Sequence, residues 1–237
     1  MNVAIIIAGG SGARMNSDIP KQFIEIKHKP IIIYTLEAFQ SHPGIDEILV
    51  VCIEDWIDRL GQMVKKYHLG KVKYIVPGGA SGQLSCYQGL AHLKNVLTKN
   101  DYVIIHDAIR PLVPSIIITD MLRIAHEKGN ACSSIPMHET LILTDDQQSG
   151  HDSLDRTKVR RVQTPQAYRY GDLLSVHEQA MKDGVTNSVY ANTLMVQYGK
   201  TIHFSLGFDN NVKITTKEDL TLFEALLAMK EEDLVKR

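Results

Sequence analysis

Four short runs rich in Val and Ile, at residues 3–8, 47–52, 72–76 and 102–106, are apolar mainly at successive rather than alternate positions. Strands of that kind are covered on both faces, which is the situation of parallel strands joined by crossover helices. Between and beyond them lie stretches of helical period at 31–40, 56–67, 81–97, 116–128, 170–181 and 216–234. Pro114 followed by Ser115 supplies an N-terminus for the fourth, and Thr216 with Asp219 a capping pair for the last. The pattern predicts an α/β chain with a mostly parallel central sheet flanked by helices.

The segment 136–163 breaks this rhythm. It carries Thr144-Asp145-Asp146-Gln147-Gln148-Ser149-Gly150, a polar turn cluster between short β-like pieces, and reads as a protruding β-arm. With no linker, low-complexity tract or internal repeat, residues 1–237 read as a single domain with this excursion. Lys and Arg total 26 against 27 Asp and Glu, a net charge of −1, so no global positive field exists to hold a nucleic acid or an anionic membrane. Any phosphate site is therefore local. Cys52, Cys86 and Cys132 are widely spaced and form no CxxC pair, which suits a reduced, cytoplasmic setting. The start lacks a basic leader region, and no apolar stretch approaches the ~18–20 residues of a membrane span, so neither signal peptide nor anchor is expected.

The stretches that carry chemistry follow the strands. Ala8-Gly9-Gly10-Ser11-Gly12-Ala13-Arg14-Met15 directly succeeds the first one. Its glycines let backbone N–H groups approach an anion, at the strand end where α/β folds bind ligands. It is not a Walker A loop, because no Gly-Lys-Ser/Thr follows, nor the dinucleotide GxGxxG, because Met15 stands at the third glycine. A tight strand-to-helix turn is the plain alternative, which Arg14, a cation at the loop's exit, weighs against. Lys21, in Pro20-Lys21-Gln22, adds a mobile point charge suited to a transferring phosphoryl group.

His106-Asp107-Ala108-Ile109-Arg110-Pro111 closes the strand at 102–106. Asp107 either holds Mg²⁺ bridged to phosphates in the crevice or pairs with Arg110 and caps the turn. His106 has no zinc-ligand spacing around it and reads as a packed or hydrogen-bonded residue. A second glycine stretch, Gly78-Gly79-Ala80-Ser81-Gly82-Gln83-Leu84-Ser85, suits either close approach of a flat base, with Ser85 offering its hydroxyl, or a flexible connection into a helix. Asn210-Asn211-Val212-Lys213-Ile214-Thr215 reads as a strand running into the last helix. Lys213 there either reaches the crevice or lines an edge strand.

Together these motifs resemble the CTP-dependent cytidylyltransferases that act on sugar-alcohol phosphates, a family that includes enzymes for 2-C-methyl-D-erythritol 4-phosphate and for ribitol 5-phosphate. The likeness covers nearly the whole chain: the loop 8–15, Pro20-Lys21-Gln22-Phe23, His106 to Pro111, Gln163-Thr164-Pro165-Gln166 and Asn211 to Thr215 stand in the family's order. The resemblance implies a Rossmann-like nucleotidyltransferase sheet. It implies that Ala8, Gly9, Gly10, Ser11 and Gly12 cradle CTP, that Arg14, Lys21 and Lys213 are catalytic cations on the phosphates, and that Gly79 and Ser85 face cytosine. Asp107 is implied to serve the metal, Mg²⁺, and the ribose region, with Arg110 on the substrate side. The arm is implied to exchange across a homodimer, so that Thr140 and Arg156 reach the polyol phosphate in the neighbouring site.

The implied reaction is in-line attack of the substrate's phosphate oxygen on the α-phosphorus of CTP, with release of pyrophosphate. Departures concentrate on the acceptor side: Gly82 where the family commonly has arginine, Glu139-Thr140 for Asp-Thr, and Thr186-Asn187 or, in another register, Val189-Tyr190 for Thr-Asp. They favour ribitol 5-phosphate over the methylerythritol phosphate. A dehydrogenase is disfavoured by Met15. An inactive nucleotide-binding module predicts a missing phosphate cation, whereas Arg14, Lys21 and Lys213 are all present.

Overall fold

The computed structural model describes residues 1–10 and 19–229. Ser11, Gly12 and Arg14, and the last five positions of the expected final helix, lie outside the described residues. In chain order the elements are β1 (Asn2–Ala8), β2 (Glu25–Ile26), β3 (Lys29–Pro30), α1 (Ile31–Ser41), β4 (Glu47–Cys52), α2 (Ile57–Lys66), β5 (Val72–Pro77), α3 (Gly82–His92), β6 (Tyr102–Asp107), α4 (Ser115–Lys128), β7 (Asn130–Pro136), β8 (Leu141–Leu143), β9 (Asp152–Leu154), β10 (Arg160–Arg169), α5 (Tyr170–Lys182), α6 (Ala191–Gln197), β11 (Phe204–Leu206) and α7 (Lys217–Leu226).

The central sheet has seven strands in the order β11-β7-β10-β6-β1-β4-β5. All run parallel except β10, which is antiparallel to both β6 and β7. Covering both faces explains the apolar runs. Ala4, Ile6, Ile48, Val50 and Ile104 pack with α1 and α4 on one side, while Val3, Ile5, Leu49, Val51 and Val103 pack with α3, α5 and α6 on the other. Burying a side chain of this size contributes roughly 1.5–3 kcal/mol, so these runs commit the sheet to the centre of the molecule.

Three sequence expectations are corrected. Residues 210–215 form no strand: after β11 the chain crosses the top of the sheet in irregular form, pinned by the Ile214 N–H donating to the Ile109 carbonyl at 2.9 Å and by burial of Ile214 against Ile31 and Phe223. Among the described residues the last helix ends at Leu226. Its expected cap is present, with the Asp219 N–H donating to Thr216 Oγ1 at 3.3 Å and the Thr216 N–H to Asp219 Oδ2 at 2.8 Å. The helix expected at 81–97 ends at His92 and passes into a short 3-10 turn at Leu93–Asn95.

Within 136–163, β8 and β9 pair as a separate two-stranded sheet, and β7 and β10 carry the chain out from the central sheet and back. The hairpin exposes Ile142, Leu143 and Leu154.

Candidate active site

The carboxyl ends of β1, β5 and β6 open into one cavity of about 500 Å³. Its floor begins with Ala8, Gly9 and Gly10 after β1. Gln22, in the single turn Lys21–Phe23, reaches beneath this loop: its Nε2 donates to the carbonyls of Ala8 at 2.7 Å and Gly10 at 3.2 Å. The glutamine is buried and acts as a brace, a role that its place after Pro20-Lys21 did not disclose. Lys21 itself lines the cavity.

The second glycine loop closes against the first. Ser85 Oγ accepts from the Gly79 N–H at 3.1 Å and donates to the Gly79 carbonyl at 3.3 Å, so the hydroxyl ties its own loop. A Cβ on either Gly9 or Gly78 would stand 3.1 Å from Ser85 Oγ, and one on Gly79 only 2.5 Å from Leu84 Cβ. No side chain fits at Gly79, which leaves its backbone facing the cavity. Ser81 caps α3, accepting from the Leu84 N–H at 3.1 Å.

Beyond these loops, at the end of β6, charge is concentrated. Asp107 Oδ2 is 3.1 Å from Arg110 Nε and 3.1 Å from Lys213 Nζ. Burial alone would raise the Asp107 pKa, but Lys213 and then Arg110 outweigh it and hold the carboxyl below its ordinary value. Lys213 is likewise penalised by burial, yet Asp107 and the Tyr190 hydroxyl keep its pKa above the usual lysine value. It is therefore an ammonium at neutral pH. Lys213 thus reaches the crevice and lines no edge strand.

Arg110 is buried, and its NH1 donates to the Asn211 carbonyl at 2.7 Å, so it is committed to Asp107 and to this crossing segment and is not among the cavity-lining residues. The segment is fixed further by Asn211 Nδ2 donating to the Thr164 carbonyl at 2.8 Å. His106 is fully buried with Nε2 at 3.1 Å from the Arg110 carbonyl, and burial pushes its pKa down to about 4. It packs as a neutral ring beneath the site.

The wall above Lys213 comes from α5, α6 and the turn between them, through His177, Val189, Tyr190, Ala191 and Leu194. Gln83 ties this turn to α3: its Nε2 donates to the Val185 carbonyl at 2.6 Å and its Oε1 accepts from the Ser188 N–H at 2.7 Å. Burial holds the His177 pKa near 4, so that ring adds no charge. Of the charged groups lining the cavity among the described residues, Lys21 and Lys213 outweigh Asp107, giving a local positive balance in a chain of net charge −1.

Thr140 and Arg156 do not join this cavity. Both are exposed on the arm, and Arg156 NH1 donates to the His138 carbonyl at 3.1 Å. Thr164 and Gln166 of β10 do line it, with Thr164 Oγ1 accepting from the Asp107 N–H at 3.2 Å.

The family model described as 2-C-methyl-D-erythritol 4-phosphate cytidylyltransferase (IspD) matches residues 2–229. The chain belongs to this family. Among family relatives, a ribitol-5-phosphate cytidylyltransferase of Lacticaseibacillus paracasei is 41% identical over 98% of this chain and 100% of its own length. A 2-C-methyl-D-erythritol 4-phosphate cytidylyltransferase of Clostridium botulinum is also 41% identical, over 95% of this chain and 97% of its own. A solved structure of 4-diphosphocytidyl-2C-methyl-D-erythritol synthase from Anaerococcus prevotii superposes with a TM-score of 0.82 at 25% identity, covering 96% of each chain. The Francisella tularensis 2-C-methyl-D-erythritol 4-phosphate cytidylyltransferase gives 0.80 at 25% identity, covering 95% of this chain and 99% of that one. No helix among the described residues is long and apolar enough to cross a membrane.

Proposed function

We propose that this protein transfers CMP from CTP to a polyol phosphate, releasing pyrophosphate and forming a CDP-polyol, with ribitol 5-phosphate as the acceptor. The observation that carries this reading is the joining, in one cavity, of two glycine loops with exposed backbone and the Asp107–Lys213 pair, in a family member whose match spans residues 2–229. Relatives named for either acceptor are 41% identical, so the choice between acceptors rests on the acceptor side of the cavity. There Gly82 lines the wall, as do Val189 and Tyr190, one of the two registers, with Thr186-Asn187 the other, in which the chain departs from the family's Thr-Asp pair.

The glycine loops after β1 and β5 bind the nucleotide, with cytosine against Gly79 and Ser85. The acceptor lies over β6 and β10. Its phosphate monoester is already an anionic nucleophile, so its oxygen attacks the α-phosphorus and the bond to the β-phosphate breaks, with no strong general base required. Rate comes from alignment and neutralisation of charge. Lys21, Lys213 and Arg14 supply that neutralisation, Asp107 holds Lys213 in place, and Gln22 keeps the first loop in register.

Among the described residues no cluster of three or more His, Cys, Asp and Glu is present, and Asp107 is the carboxylate lining the cavity. This donor set would fit a Mg²⁺ brought in with the triphosphate, for which Asp107, already shared by Arg110 and Lys213 through Oδ2, would be the protein's carboxylate. When bound, Mg²⁺ supplies charge neutralisation at the phosphates. The exposed Ile142, Leu143 and Leu154 support an arm that packs on a second copy, carrying Thr140 and Arg156 to the partner's acceptor site in a homodimer.

Pyrophosphate release from CTP and Mg²⁺, with ribitol 5-phosphate and 2-C-methyl-D-erythritol 4-phosphate in parallel, tests the reading. Release with ribitol 5-phosphate is expected. Release with the other acceptor alone overturns the acceptor assignment, and release with neither, together with no CTP binding by calorimetry, overturns the function.

A further inference from the structure

Lys213 Nζ has two contacts besides Asp107: the Tyr190 hydroxyl at 3.1 Å and the Tyr190 ring, whose centroid is 4.9 Å away. An ammonium only donates, so the phenol oxygen accepts and its own proton remains to be placed. No described residue accepts it, and Tyr190 lines the cavity. Its O–H is thus available to an oxygen inside the cavity.

The backbone of Tyr190 is secured independently of this hydroxyl. Its N–H donates to Thr193 Oγ1 at 3.1 Å and its carbonyl accepts from the same oxygen at 2.7 Å. The preceding turn is held to α3 through Gln83. The phenol therefore stands at a fixed point, and removing its hydroxyl leaves these bonds intact.

We infer that Tyr190 positions Lys213 and reads the acceptor: its oxygen holds the ammonium beside Asp107, and its O–H hydrogen-bonds an oxygen of the bound polyol phosphate. This rests on the proposed cytidylyl transfer and assigns one residue to the acceptor half of that site. A neutral donor complements a phosphate or polyol oxygen, whereas a carboxylate at the same point would repel the phosphate.

The test is Tyr190→Phe, which keeps the ring over Lys213 and removes only the hydroxyl. The acceptor KM is expected to rise at least about fivefold and by more than the CTP KM, the pattern of a lost acceptor contact. Acetylation of Lys213 without substrates, followed by peptide mass spectrometry, is expected to run at least about threefold faster than in the wild type, because the nucleophilic amine is less restrained. Tyr190→Leu, which also removes the ring, should exceed both effects. An unchanged acceptor KM overturns the contact with substrate, and an unchanged Lys213 labelling rate overturns the positioning role. If the wild type turns over neither acceptor while labelling still responds to Tyr190→Phe, the cytidylyl-transfer reading fails and the positioning of Lys213 stands.

Discussion

Replacing Gln22 by leucine removes an amide with little change in volume, so it isolates the brace beneath the first glycine loop. The side chain is 1% exposed, and its Nε2 serves two carbonyls, Ala8 at 2.7 Å and Gly10 at 3.2 Å. The Ala8 bond is enclosed, and withdrawing a buried donor costs about 1–3 kcal/mol. The Gly10 bond is only part-buried, so water takes over much of it. A total of about 2 kcal/mol lowers the Tm of a chain of this size by about 4–8 °C. The loop also loses its register toward the nucleotide, and the CTP KM is expected to rise roughly tenfold, equivalent to about 1.4 kcal/mol. Differential scanning fluorimetry and pyrophosphate-release kinetics read the two effects separately. Gln22→Glu sharpens the test, because shape is retained while a carboxylate oxygen replaces the donor. Only the protonated acid can donate to Ala8, so the folded state binds that proton more tightly than the unfolded one. Stability of this variant therefore falls as pH rises through and above the ordinary glutamate range. A leucine variant that melts within about 1 °C of the wild type, with an unchanged CTP KM, would refute the bracing argument.

Other consequences follow from the same geometry. Gly79→Ala drives its Cβ to 2.5 Å from Leu84 Cβ, so the second loop must shift; the CTP KM should rise at least about tenfold while circular dichroism stays native-like. Asp107→Asn leaves Arg110 and Lys213 without their shared carboxylate, and should cost about 3 kcal/mol in urea unfolding at pH 7, near the low end for a broken buried pair because Lys213 is 28% exposed. Since the Asp107 pKa is depressed on folding, the wild type's advantage is complete above the unfolded value of about 3.9 and is lost as pH falls toward the folded one, which unfolding curves across that range will show. Burial pushes the thiols of Cys52 to about 11 and of Cys86 and Cys132 to about 12. An aromatic disulfide reagent should therefore react slowly with the native protein and rapidly, at all three positions, in denaturant.

Legibility followed burial. The residue runs 47–52 and 102–106 announced β4 and β6 because both faces are covered and every position is apolar or nearly so. β7 and β10 gave no such signal. Asn130-Ala131-Cys132-Ser133-Ser134 is polar in composition yet buried, and β10 contains Arg160, Arg161, Gln163, Thr164 and Pro165. Their environment comes from partners remote in sequence, such as Gln163 bonding the backbone of Phe208, which no local window contains. α6, at seven residues, is too short to establish a helical period. In the site, glycines and strand-end charges were visible as residue types, but the division of labour was not. Whether Arg110 faced substrate or Asp107, and whether Lys213 faced the crevice or an edge, depends on the path of 210–215 over the sheet. Gln22, Gln83 and Tyr190 act through backbone groups or through a neighbouring side chain, and nothing in their local sequence distinguishes them from ordinary polar positions.

The antiparallel insertion of β10 also governs how the protein must be made. β1, β4, β5 and β6 are complete once Asp107 has been synthesised, and they form one contiguous half of the sheet. β6 receives its outer partner only from β10, whose pairing residues begin at Gln166, added 59 residues later, counted as 166 minus 107. At about 5–20 residues per second that interval is about 3–12 s. During it the nascent chain presents Val103, Ile104 and Ile105 along an open strand edge, the kind of surface that recruits other strands. That edge closes only when β10 arrives between β6 and β7, so a single late strand completes both halves of the sheet at once.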